Sequence, residues 1–195
     1  MASPSPTDDL PLLEFPDPQG WVTWLDENHV TARGAWLKFA KRGAPRPTVS
    51  YAEAVEVALC FGWIDSQVGR LDEFFYRQRF TPRGSRSRWS QINRAKATDL
   101  LQRGLMRPAG LAEVERARRD GRWESAYASP SKAVAPEDFL AALRQNPQAE
   151  RNFASLTSAN RYAFIFRIEE AKRPETRARR IVQYVEMLAA GRSFH

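Results

Sequence analysis

Arg77, Arg79, Arg83, Arg86, Arg88 and Arg94 cluster in and around the stretch FTPRGSRSRWSQINRAK (Phe80–Lys96), which contains no acid. Thr81, Ser85, Ser87 and Ser90 add hydroxyls, Asn93 an amide, and Trp89 a flat apolar ring. Guanidinium forks pair two oxygens of a carboxylate or phosphate at once, and a helix beginning near 88–90 would add backbone N–H groups and a positive dipole end. Trp89 could stack on a base or a guanidinium. These residue types in this order point to an anion site. The competing reading is a solvated turn in which Arg83 caps a carbonyl and Arg77 forms a buried ion pair with Asp65. A second basic cluster, AKRPETRARR (171–180), puts Arg173, Arg177 and Arg180 at the start of a helix. Positive charge there opposes the dipole, so it calls for an external anion or an acidic neighbour.

Other chemistries find little support. The single cysteine, Cys60, lies between Leu59 and Phe61, where a small buried thiol fits, and it excludes an intramolecular disulfide or a cysteine zinc cluster. The two histidines are His29 and the terminal His195, so no metal site or Ser-His-Asp triad is expected. Asp65 could serve as a general base only if desolvated, and an arginine partner would lower its pKa instead. No glycine-rich phosphate loop, HExxH, GxSxG or CxxC occurs, so no enzymatic signature and no cofactor is indicated.

The elements that must position these residues read from period and caps. Asp17 and Pro18 open a helix over 17–30, and 34–42 alternates as a strand. Ser50 and Glu53 form a capping box for a helix over 50–62 that Gly62 stops. The runs 63–68 and 73–80 around GRLD read as a hairpin, with Val68 opposite Phe74, Asp65 facing Arg77 and Trp63 near Arg79. Helical patterns follow from about residue 87 to Gly104 and over 107–123, then from 136, 147, 158 and 174 onward. The fold class is α+β: a small antiparallel sheet with a hairpin in the N-terminal part and a mostly helical C-terminal part. The domain reading is a disordered tail over 1–12, an α+β part over 13–123, a linker over 124–135 and a helical part over 136–195 packed on the first.

The formal charge is +7, with 43% hydrophobic and 11% aromatic residues in 195. That composition buries a core, and the basic balance favours an anionic small molecule, an acidic protein surface or nucleic acid. The N-terminus lacks the basic and apolar regions of a signal peptide, which points to the cytoplasm.

Several phrases in fixed order, ALCFGWID, RFTPR, WSQIN, GRW and AKRPETR, resemble the YdeI/OmpD-associated, or bacteriocin-protection, family of bacterial proteins, with the likeness running from Trp21 to Gly191. The resemblance implies tolerance of antimicrobial peptides, association with a porin and a periplasmic place, and it supplies no catalytic residues. A chain of this charge repels a cationic peptide, so an indirect role through an anionic ligand or intracellular partner is expected. Three readings follow: a non-enzymatic stress-tolerance protein binding an anion, a nucleic-acid-binding protein using the same surface, and an enzyme acting on an anionic small molecule near Asp65, Arg77 and Trp89.

Overall fold

The protein is described by a computed structural model covering residues 9–129 and 132–194. Two compact units meet between Tyr127 and Ala128, inside the segment read as a linker. In the first unit the elements are β1 (Leu12–Leu13), α1 (Pro18–Asn28), β2 (Ala35–Ala40), α2 (Tyr51–Cys60), β3 (Trp63–Arg70), β4 (Phe75–Pro82), α3 (Gln91–Gln102) and α4 (Pro108–Arg119). The second holds α5 (Glu137–Arg144), α6 (Pro147–Ser155), α7 (Ser158–Glu169) and α8 (Pro174–Ala189).

Local signals place the helices. Asp17 accepts the Gly20 amide at the start of α1, and the Ser50–Glu53 box closes in both directions at α2. Ser90 accepts the Asn93 amide to begin α3, and Asn146 and Thr157 do the same for α6 and α7. Each such cap satisfies an N–H that a helix end would otherwise leave bare.

The α+β class holds, with a sheet of strand order β1-β2-β4-β3. The sheet is mixed rather than wholly antiparallel, because β1 adds to β2 in parallel. The tail read over 1–12 is therefore corrected at its end: residues 1–8 lie outside the described residues, but Leu12 pairs with Trp36, and the Trp36 amide donates to Pro11 O at 2.9 Å. Backbone pairing to a neighbouring strand overrides a proline-rich composition there.

The hairpin register also differs from expectation. Val68 stands opposite Gln78, Asp65 opposite Phe80 and Trp63 opposite Pro82. Two local features shift it. Asp72 Oδ1 accepts the amides of Phe74 and Phe75 at 2.8 Å each, which tightens the turn. An irregularity between Asp65 and Val68 is bridged by the buried Gln78 amide, which donates to Ser66 O. Such a slip changes which side chains share a face. Val68 and Phe74, expected opposite each other, are both exposed.

Leu37, Phe39, Phe80 and Trp63 from the sheet meet Trp21 and Leu25 of α1, Val55 and Leu59 of α2, Leu100 of α3 and Val114 of α4 in one core. The second unit has a core of its own, in which Phe139, Phe153, Phe164, Ile181, Tyr184 and Leu188 join all four helices. No helix among the described residues is long and apolar enough to cross a membrane.

Among the glycines the tightest position is Gly110, in the first turn of α4. A Cβ there would lie 2.2 Å from Cys60 O and 2.8 Å from Leu59 O, both main-chain atoms at the end of α2. At Gly104, by contrast, φ is +66° and nothing lies within 4 Å. Gly110→Ala should cost about 3 kcal/mol or more by overpacking, whereas Gly104→Ala should cost about 1 kcal/mol of left-handed strain. Urea unfolding midpoints of the two variants give the comparison, and equal shifts would contradict the packing argument.

Candidate functional site

The arginine segment does not form one open patch. Its members divide between the sheet and the turn that leads from β4 to α3.

Arg77, Arg79 and Thr81 alternate along β4 with the core residues Gln78 and Phe80, so they share the other face of the sheet with Trp36 and Lys38. Arg77 stacks on Trp36 at 4.3 Å, and Arg79 Nη1 donates to Gln67 Oε1 at 2.9 Å. Lys38 lies over Phe75 at 3.9 Å and pairs with Glu14 at 3.0 Å, and Arg46 grips the same carboxylate through two nitrogens. The Arg46 hydrogen bonds and then Lys38 hold the Glu14 carboxyl down at about 2. Arg77 does not reach Asp65 as expected. The register sets it opposite Gly69, and the Asp65 carboxylate instead accepts the Tyr51 hydroxyl at 2.8 Å. Burial, together with that hydrogen bond, raises the Tyr51 hydroxyl pKa.

In the turn, Arg83 is 5% exposed and its guanidinium stacks on Trp89 at 3.7 Å. Arg83 Nη1 donates to Arg88 O at 3.3 Å, closing the turn on itself. Three further arginines hold main-chain carbonyls around it. Arg122 Nη1 donates to Ser87 O at 2.7 Å, Arg94 Nη1 to Trp123 O at 3.0 Å, and Arg116 Nη2 to Arg83 O at 3.4 Å. Trp89 meets Trp123 edge-on at 4.9 Å, and Arg88 lies over Tyr127 at 5.2 Å. The expected helix N–H groups are already engaged: Gln91 N donates to Tyr127 O and Asn93 N to Ser90 Oγ. Arg86 is exposed on the turn.

Arg83 and its neighbours are rich in donors and poor in acceptors. Arg83 Nε and Nη2, Trp89 Nε1 and Arg116 Nε are all buried without a hydrogen-bond partner. The nearby Glu113 carboxylate is taken by Arg116, and burial pushes its pKa up. Burial likewise lowers the Arg83 pKa to about 10, with Glu113 opposing the shift. A buried charged donor left unpaired costs more than the roughly 1–3 kcal/mol of a neutral one.

The second cluster is bound internally. Arg177 grips Asp138 through two nitrogens at 2.6 and 2.8 Å and donates to Ile168 O, which ties α8 to α5 and α7. Asp138 is therefore the acidic neighbour that the misplaced charge called for, and Arg177 holds its carboxyl below the usual range. Arg180 donates to Arg167 O, and Arg173 is exposed at the head of α8. Among the described residues no three of His, Cys, Asp and Glu lie together as metal ligands would.

One feature has no local signal in the sequence. A cavity of about 390 Å³ opens between α1, α2 and the turn joining α3 to α4, walled by Val22, Val57, Phe61, Leu100 and Leu105, with Cys60 also in its lining.

A family described as Domain of unknown function (DUF8412) matches residues 13–113, just over half of the chain. The chain belongs to this family. Residues 132–191 match a second family, Bacteriocin-protection, YdeI or OmpD-Associated. The phrase AKRPETR lies in that second stretch, whereas ALCFGWID, RFTPR and WSQIN lie in the first. No curated protein and no solved structure matches the chain.

The Glu14 pair carries a pH signature. A carboxyl held at about 2 against an ordinary 4.5 adds stability that is complete above the unfolded value and lost as pH falls through the folded one. The urea midpoint should drop between pH 5 and pH 2, and by a smaller margin in Glu14→Gln. Parallel pH profiles for the two proteins would show that the ion pair contributes nothing.

Proposed function

We propose that this chain is a cytoplasmic tolerance protein of the bacteriocin-protection type that acts by binding, without catalysis, and that its N-terminal unit takes an oxyanion-bearing ligand at Arg83. The bacteriocin-protection match over 132–191 supports the first part of this reading. A free, buried cysteine fits a reducing compartment. The second part rests on one observation: the Arg83 guanidinium is almost wholly buried with two nitrogens unpartnered, beside two further unpartnered donors. A carboxylate, phosphate or sulfate supplies the acceptors that this locus lacks, and a planar guanidinium suits two oxygens of one group. The exposed turn around Ser85 and Arg86 gives the approach. Of the sequence-derived candidates, Arg83 and Trp89 touch the ligand in this reading, while Arg88, Ser90, Asn93 and Arg94 hold the turn.

Thermal unfolding of the full chain with phosphate, sulfate or acetate, at constant ionic strength against chloride, tests this. Free ligand at 100 times Kd stabilises by about 2.7 kcal/mol, which for a chain of this size raises Tm by roughly 5–10 °C. Arg83→Met should abolish the rise and Arg86→Ala should keep it. Trp89→Phe, which removes one donor but keeps the ring, should weaken binding about tenfold. No rise with any oxyanion, or an unchanged rise in Arg83→Met, would overturn the reading. Retention of DNA or RNA that falls steeply with salt would move the assignment to nucleic acid instead.

A further inference from the structure

The cavity between α1, α2 and the α3–α4 turn is separate from the Arg83 locus and has charges of both signs along its length. Glu53 and Glu56 lie on α2, one turn apart, and both line it. Cys60 lies seven residues beyond Glu53 on the same helix, so the two levels are about 10 Å apart along the axis. At the Cys60 level the lining continues to Arg107, whose amide donates to Cys60 O at 3.0 Å and whose guanidinium lies 5.7 Å from the Phe61 ring. Between the carboxylates and Arg107 the walls are mostly apolar, formed by Val22, Val57, Leu100 and Leu105, and Arg103, paired with Asp99 of α3, also lines them.

Each of these charged groups keeps capacity for a ligand. Ser50 engages Oε2 of Glu53, and Lys96 engages Oε1 of Glu56, so each carboxylate keeps a second oxygen. Arg107 Nη2 reaches Asp26 across 3.4 Å, long for a charge-assisted bond, and both side chains are half exposed. Gly104, at φ +66°, turns the chain so that Leu105 N returns to Leu100 O, which sets Leu105 in the wall.

We infer that this cavity binds a short apolar peptide with free termini, its ammonium at Glu53 and Glu56 and its carboxylate at Arg107. Three extended residues span about 10 Å, the separation derived above. Charge complementarity selects this occupant over a simple fatty acid, whose tail would lie against the two carboxylates. It selects it equally over an apolar amine, which would leave Arg107 without a partner in the cavity.

The single cysteine gives a direct readout. Cys60 is 8% exposed, burial raises its thiol pKa, and it lies in the cavity wall, so an occupant shields it from alkylation. The tripeptide Val-Leu-Val should slow maleimide labelling of Cys60 in the full chain, in a saturable way. N-acetylation or C-terminal amidation of the tripeptide should each weaken this protection about tenfold or more, since each removes a charge-assisted bond. Arg107→Gln, at an exposed position, should weaken the free-acid peptide and leave the amide unchanged. Leu105→Trp should block protection by filling the cavity. Equal protection by the doubly capped peptide, stronger protection by octanoate, or no protection by Val-Leu-Val at millimolar concentration would each overturn the inference.

Discussion

A guanidinium laid on an indole inside the N-terminal unit organises the turn between sheet and helix. Arg83 follows directly on β4, and Trp89 precedes the cap of α3, so stacking one on the other fixes how the chain leaves the sheet. A desolvated cation–π contact is worth about 2 kcal/mol or more, yet burying the charge works against it and depresses the Arg83 pKa. The surrounding arginines act on main-chain carbonyls, and Arg116 and Arg122 also hold the nearby acids Glu113 and Asp120. Arg94, Arg116 and Arg122 each donate to a carbonyl far along the chain, so the turn, the end of α4 and the residues after it form one bracket. The basic charge of this segment is therefore spent largely on architecture. Of what remains unpartnered, the two buried Arg83 nitrogens lie together in the turn and are the part that can bear on function.

The helical unit uses the same device. Arg177 joins Asp138 and a carbonyl of α7, so a charge that opposes the α8 dipole becomes the link among three helices. In both units arginine serves where its planar fork reaches several acceptors at once, which a lysine could not do.

The α1–α2 cavity follows from different physics. Its apolar walls are the partly covered edges of helices whose buried faces form the core. Charges of both signs line it because α2 carries acids near its start, while the chain returning from α3 brings arginines past its end.

The helices were legible in the sequence because their ends are chemically local: Asp17, Ser50 with Glu53, Gly62, Ser90 and Pro108 act within one turn of where they stand. The family resemblance was legible for a related reason, since short phrases carry it. The hairpin register was not, because an aspartate turn and a glutamine-bridged irregularity each move it by contacts that alternation does not encode. The roles of Arg94, Arg116 and Arg122 were hidden because their partners are carbonyls, which every residue offers, about thirty positions away. By itself the sequence determined every element but β1, their order and the stretch of arginine chemistry, since these follow from period and capping. Tertiary structure alone decided which guanidiniums are committed, which remain unpartnered, and that a cavity with opposite charges along it exists, because burial and long-range pairing arise only once the elements pack.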